Sequence, residues 1–305
     1  MTLMLGFTSI DPNELNQQQV HQHLLSAVAP RPICFASTID KKGNVNLSPF
    51  SFFNVFSSNP PLLIFSPARS GRDNTIKHTL ANVTEVEEVV INIIDYALVE
   101  QMSLSSTAYA KGVNEFVKSG LSQVKSTKVQ PPRVGEAPIA FECKVNQIIS
   151  LGNQPGAGNL VLAEVVLMHF KNDHLDTEGR LATEKMDWVA RMGGNWYAKI
   201  TSESLFQLSK PNQNKGIGVD QLPRSIQNST ILTGNNLGRL GNIDRLPTQI
   251  EIDKMKHSNP IKNVLSSFEG KKAIAPLHVL AQEELALKND FSALTILHIA
   301  DQINQ

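Results

Sequence analysis

Cysteine is scarce in this chain: two thiols, Cys34 and Cys143, stand among 305 residues. That excludes a disulfide framework and a cysteine cage for a metal, and both positions fall in strand-like segments far apart in sequence, as expected of reduced, buried thiols in a cytoplasmic protein. Charge of one sign is lacking as well. Twenty-eight basic residues balance 28 acidic ones, so nothing draws the chain toward nucleic acid or an anionic membrane. No apolar run reaches the length of a membrane-spanning helix, and the opening MTLMLGFTSIDPNEL has neither a basic stretch nor a long apolar one. Internal repeats and low-complexity tracts are absent too. What remains is an ordinary globular composition, 41% hydrophobic and 18% charged, with room for one large domain or a domain plus a substantial appendage.

The most informative stretch is Arg31 to Pro67. Ile33 to Ile39 alternates as a half-buried strand does, and Asp40-Lys41-Lys42-Gly43 supplies a turn in which Gly43 is free to take positive φ. A second strand follows, dense in Ser, Asn and Phe, then the Pro60-Pro61 break and a third strand. Ser48, Ser51 and Asn46 beside Phe50, Phe52 and Phe53 give an apolar surface with a few placed donors, which suits a flat heteroaromatic ligand. The phenylalanines, with Phe56, read as core, and Ser48 and Ser51 as ligand-facing. Asp73-Asn74-Thr75 then reads as a helix N-cap ahead of Ile76, Leu80 and Val83. Val89 to Ile94 is a central strand; Ala97 to Gly120 is helical in pieces. Ile139 to Val145 and Leu160 to Phe170 are further strands. Strands linked by Gly/Pro turns favour a barrel over a doubly wound sheet.

These parts come in a recognisable order: Pro-Arg-Pro before a strand ending Ser-Thr, Gly-x-x-Asn-Leu-Ser-Pro-Phe-Ser, Pro-Pro, a basic Thr-Asn helix, Phe-Glu-Cys, and Arg-x-Gly-Gly-x-x-Tyr. From about Val20 to Tyr197 the chain resembles the flavin reductase-like family, the FMN-binding split β-barrel proteins of the flavoredoxin and nitrilotriacetate monooxygenase component B type. The resemblance implies a mainly β, six-stranded antiparallel Greek-key barrel with peripheral helices over residues 1–200; residues 201–305 lie beyond the usual end of the family barrel and read as an α-rich C-terminal extension. The resemblance also implies bound FMN, NADH or NADPH as an electron donor, a homodimer, and a monooxygenase or redox protein as partner. The isoalloxazine would lie against Ser37, Thr38, Asn46, Leu47, Ser48 and Ser51. The phosphate would sit on Arg72, Lys77 and Thr79, with Arg69 as a second cation; the alternative for these groups is a solvated helix face. Arg191 would lie near the flavin or the dimer partner, or else in a buried ion pair, and the paired glycines after it permit close backbone approach.

One departure bears on turnover. Where nicotinamide-using relatives carry Gly-Asp-His, this chain reads Gly158-Asn159, and an amide exchanges no protons near neutral pH. No catalytic acid, base or nucleophile is needed, since the flavin carries the electrons. Three classes therefore stay open: an NAD(P)H-dependent flavin reductase, a flavoredoxin-like carrier, and a flavin-binding protein without turnover. In the extension, 216–223 and 232–238 read as loop-rich, with two or three helices after them. Phe268 and Leu297 read as anchors to the barrel or to a second subunit, and Asp244 and Arg245 as residues that could face substrate.

Overall fold

The computed structural model describes residues 6–208, 211 and 215–305. Met1–Leu5 of the opening stretch, and positions 209, 210 and 212–214 of the extension, lie outside the described residues. Contacts divide the chain into two units, Met1–Phe206 and Gln207–Gln305.

The first unit opens with α1 (Gln17–Ala27), started by a reciprocal cap in which Asn16 and Gln19 each accept the other's backbone N–H. Strand β1 (Cys34–Ile39) turns into β2 (Val45–Phe50) where the Asp40 carboxylate accepts the N–H groups of Lys42 and Asn44, both at 2.9 Å, and Gly43 takes φ 81°. Next come β3 (Phe53–Ser58), β4 (Pro61–Phe65), α2 (His78–Glu85) and β5 (Glu88–Ile93). An excursion carries α3 (Val99–Leu104), α4 (Glu115–Ser119), and the short pair β6 (Gln123–Val124) and β7 (Arg133–Val134). The long hairpin β8 (Ile139–Ser150) and β9 (Asn159–Phe170) follows, then the hairpin β10 (Trp188–Arg191) and β11 (Tyr197–Ile200).

Seven strands form one antiparallel sheet in the order β2-β1-β5-β8-β9-β4-β3. Its outermost strands, β2 and β3, are separated in sequence by Ser51 and Phe52 alone, so the sheet curls until its edges adjoin. This is the split barrel that the sequence implied. Six strands were expected because the second one reads as continuous; it bends at Ser51–Phe52 and serves both edges. The interior packs Cys34, Ala36, Leu63, Phe65, Ile91, Cys143 and Val161, with Leu80 and Val83 of α2. Phe50 reaches Phe65 at 5.6 Å between ring centroids. Burial pushes both thiols up from their ordinary values, and both are free.

Two expectations about this region need correction. Strand β1 is buried along its whole length, not on one face. Its second face is covered by the excursion, where Phe35 and Leu47 pack with Met102 and Phe116. Of the four phenylalanines read as core, Phe50 and Phe53 pack against the barrel interior, while Phe52 is 37% and Phe56 64% exposed. Phe52 sits in the bend between β2 and β3, and Phe56 lies on the exposed edge strand β3.

The second unit is helical: α5 (Arg224–Gln227), α6 (Gly234–Gly241), α7 (Gln249–Lys256), α8 (Asn259–Ser267), α9 (Ile274–Ala286) and α10 (Asp290–Asn304). It has a core of its own, including Leu240, Ile252, Ile261, Leu277, Leu285 and Leu297. Leu297 thus serves this core, and Phe268, 43% exposed, ends α8. The 232–238 stretch is not a loop. Thr233 and Asn236 cap α6 reciprocally, and Leu237 and Leu240 give it an apolar face that outweighs its glycines. Four helices follow it, one more than the most expected. Arg245 grips the Glu251 carboxylate through two bonds of 2.8 and 2.7 Å and lies 4.4 Å from the Phe291 ring, a structural clamp.

Candidate functional site

After β4 the chain makes a tight turn before α2. The Arg69 guanidinium donates to the side-chain and backbone oxygens of Asn74, both at 2.7 Å, and Asn74 takes φ 58°. Asp73 accepts from the Thr75 N–H and hydroxyl. Bonds from Ser70 and Thr75 lower its carboxyl to about 2. Asp73-Asn74-Thr75 therefore builds this turn and does not cap α2. Lys77 stands at the cap position, no side chain caps the helix, and its first turn holds no acidic residue. The N–H groups at such a terminus carry positive potential. Arg72 and Lys77 are exposed beside it and form no ion pair among the described residues.

The remaining expected residues fall into distinct groups. Asn46 and Thr79, assigned from sequence to opposite ends of the cofactor, touch: the Asn46 amide donates to the Thr79 hydroxyl at 2.9 Å, and both are buried. Thr38 accepts from Asn82 at 3.1 Å. The Leu47 N–H donates to Glu115 at 3.0 Å, and burial pushes that carboxyl up. These bonds pin α2 and α4 to β1 and β2. Ser37 is buried with its hydroxyl unpartnered. Ser48 and Ser51 lie half-buried at the end of β2.

Arg191 is on the β10–β11 hairpin, its guanidinium 4.5 Å from the Tyr197 ring and donating to the Trp196 carbonyl at 3.1 Å. It is in no ion pair among the described residues. The turn after it needs Gly193, because a Cβ there would lie 2.4 Å from the Ser26 hydroxyl of α1. Sequence reading passed over Arg31, which exchanges backbone hydrogen bonds with Arg191 at 3.0 and 2.8 Å. Its buried guanidinium donates to the carbonyls of Leu25, Val28 and Met192, and to Ser51 at 3.4 Å. Burial, together with the charge of Arg191, lowers its pKa. Arg31 thus ties the C-terminus of α1 to the barrel beside Ser51. Its one sequence signal was the Pro-Arg-Pro motif.

A cleft of about 460 Å³ opens between α1, Phe52 and the β8–β9 loop. Gln17, His21, Phe52, Leu151 and Pro155 are among its walls. His21 meets the Phe52 ring edge-on at 6.3 Å. Asn159 does not line this cleft. It is buried, its amide donating to the Pro67 carbonyl and its N–H to the Ser66 hydroxyl, both at 3.0 Å. The region thus combines an apolar, amide-bearing cleft, suited to a flat ring, with a cation-flanked helix terminus, suited to a phosphate. Among the described residues no group of three or more His, Cys, Asp or Glu is placed to hold a metal.

A split barrel with these features is that of a flavin-binding protein class, and the comparisons agree. Residues 26–187 match the flavin reductase like domain model, and the chain belongs to that family. An uncharacterized protein, BH2278, from Halalkalibacterium halodurans is 36% identical over 211 residues, 68% of this chain and 99% of the relative. The nitrilotriacetate monooxygenase component B structure from Bacillus cereus superposes with TM-score 0.62 at 30% identity, over 66% of this chain and 98% of its own. The 2-nitrobenzoate 2-nitroreductase NbaA of Pseudomonas fluorescens gives TM-score 0.61 at 28% identity, over 69% and 100%. About a third of the chain has no counterpart in these three. Family and neighbours make the protein a flavin reductase-like oxidoreductase with a flavin cofactor. No helix among the described residues is long and apolar enough to cross a membrane.

Proposed function

We propose that the flavin is FMN and that the protein is an oxidoreductase of the NAD(P)H:flavin reductase type, working in the cytoplasm as a homodimer. One observation carries the FMN reading: the uncapped first turn of α2, without an acidic residue, stands beside Arg72 and Lys77, cations in no ion pair among the described residues. A phosphate monoester fits that place, and riboflavin would leave it unfilled. The ring would lie at the end of β2, with Ser48 and Ser51 as hydrogen-bonding groups and Phe52 excluding water on one side. Bound there, FMN would supply hydride and single-electron chemistry. Arg31 and Arg191 hold α1 and the β10–β11 hairpin in place around it. Thr38, Asn46 and Thr79 act one layer down, fixing the orientation of α2, so their contribution is to position the phosphate-binding turn. The Ser37 hydroxyl, buried in β1, has no hydrogen-bond partner among the described residues.

Strand β3 supports the dimer. It is a sheet edge with Val55 63% and Phe56 64% exposed, a surface that invites a second copy across a two-fold axis. A monooxygenase or redox protein would be the physiological partner. A second reading is favoured by Asn159, whose amide is committed to Pro67: a flavoredoxin-like carrier that holds FMN tightly and takes electrons from a protein.

Purified protein tests both. A yellow chain whose FMN absorbance bleaches quickly with NADH or NADPH supports the reductase, and one that bleaches only with a protein donor supports the carrier. A colourless chain that takes up no added FMN would sink both.

A further inference from the structure

A second recess, of about 340 Å³, opens between the β7 segment and the last residues of β9, apart from the cleft at α1. Gly135, Ala137 and Pro138 keep its walls low, and three basic side chains line it: Arg133, His169 and Lys171. Arg133 is the anomaly. Its Nε is sealed from solvent with no hydrogen-bond partner, and no described residue accepts from or pairs with its guanidinium.

The two carboxylates of this region are already engaged. Glu142, wholly buried, accepts the N–H groups of Thr127 at 2.8 Å and Lys128 at 2.5 Å, and bonds His169 Nε2 at 2.7 Å. Burial pushes its carboxyl up, but those bonds outweigh burial and hold it below the usual range, so it is ionised. Glu136 spends both oxygens on the Ser122 N–H, each at 3.0 Å. Lys171 uses one N–H on the Glu136 carbonyl at 2.7 Å, and an ammonium has two more to offer. A charged N–H buried without an acceptor is costly, and the planar fork of a guanidinium matches two oxygens on one atom.

We infer that this recess binds a small oxyanion, a phosphate or carboxylate group with at least two free oxygens, gripped by Arg133 with Lys171 and His169 beside it. The site is independent of the flavin and of the function proposed for it.

The test is calorimetric titration of the full-length FMN-loaded chain with inorganic phosphate, with acetate, and with chloride at matched ionic strength. Phosphate or acetate should bind while chloride does not, and whichever binds more tightly fixes the class. Arg133→Gln should weaken that binding at least tenfold and Lys171→Gln about threefold, with the flavin spectrum unchanged. Should Arg133→Gln fail to fold, the Arg133 Nε–H resonance of the unsubstituted chain gives a second measurement. It should shift on adding the anion and stay fixed in chloride. No binding beyond chloride, variants that bind the anion as tightly as the unsubstituted chain, or an unmoved resonance would each overturn the site.

Discussion

Because Lys77 projects into solvent while Thr79 is buried against Asn46, changes two residues apart should separate ligand binding from folding. Arg72→Ala with Lys77→Ala removes two charges at the α2 terminus. FMN should then bind at least tenfold more weakly, each charge-assisted bond being worth about 1.5–3 kcal/mol, with riboflavin affinity nearly unchanged. Parallel calorimetric titrations of the two ligands check this; equal losses would move the phosphate elsewhere. Thr79→Ala instead strands the Asn46 amide in the interior and should cost about 1–3 kcal/mol of stability, read from urea denaturation. Glu115 gives a pH signature. Burial raises its folded pKa above the ordinary 4.5, against smaller lowering contributions from its hydrogen bonds and His78. Between 4.5 and that raised value the folded chain holds more protons than the unfolded one, so stability falls as pH rises through this window. Glu115→Gln keeps an oxygen for the Leu47 N–H and should flatten that slope. Denaturant midpoints across the window compare the two chains, and identical slopes would rule Glu115 out. Arg31 shows what single residues conceal in sequence. Its carbonyl partner at Met192 is 161 positions away, and no local spacing announces such a bond.

Elements were legible where local chemistry decides them. Gly43 and the Asp40 turn, the β5 run, and a strand over Ile139 to Val145 all correspond to what formed, though Ala140 and Glu142 are buried where that strand was expected to have one buried face. Errors arose where tertiary contacts overrule pattern. The face of β1 that carries Cys34, Ala36 and Thr38 is small and polar enough to look solvated, yet it is buried in the barrel, while Phe35 on the other face lies beneath the excursion. The N-cap triplet before α2 went to a turn because Arg69 holds Asn74. The glycines of α6 argued for a loop until a cap and two leucines outweighed them. At the candidate site, the uncapped terminus of α2 was visible as a basic segment after a strand, but the buried layer of Thr38, Asn46 and Asn82 needed β1, β2 and α2 to be placed first. Strand β3 carries a prediction at this scale. If its exposed Val55 and Phe56 meet a second copy, Phe56→Asp should shift the protein from dimer to monomer by light scattering. A dimer retained at micromolar concentration would place the interface on another face.

At the scale of the molecule, each unit has a hydrophobic core of its own, which is what independent folding requires. Residues 207–305 expressed alone should show helical circular dichroism and melt cooperatively, Leu277, Leu285 and Leu297 being wholly buried within that segment. Residues 1–206 should fold and hold FMN with the affinity of the full chain. A helical segment that stays unstructured alone would mean that its stability is borrowed, and a truncated barrel that releases FMN faster would assign the extension a role in covering the flavin.

Ser51 and Phe52 occupy the place where the barrel closes. None of the ladder pairs joining its strands involves these two residues. A circular permutant with new ends here would keep every rung yet lose the hinge, turning a ring into a ribbon whose two margins are held by side chains alone. The same two residues belong to the candidate site, Ser51 beside Arg31 and Phe52 in the cleft. In such a permutant, a bound flavin would act as a stitch across an open seam, and its affinity would become a direct reading of how far the barrel gapes.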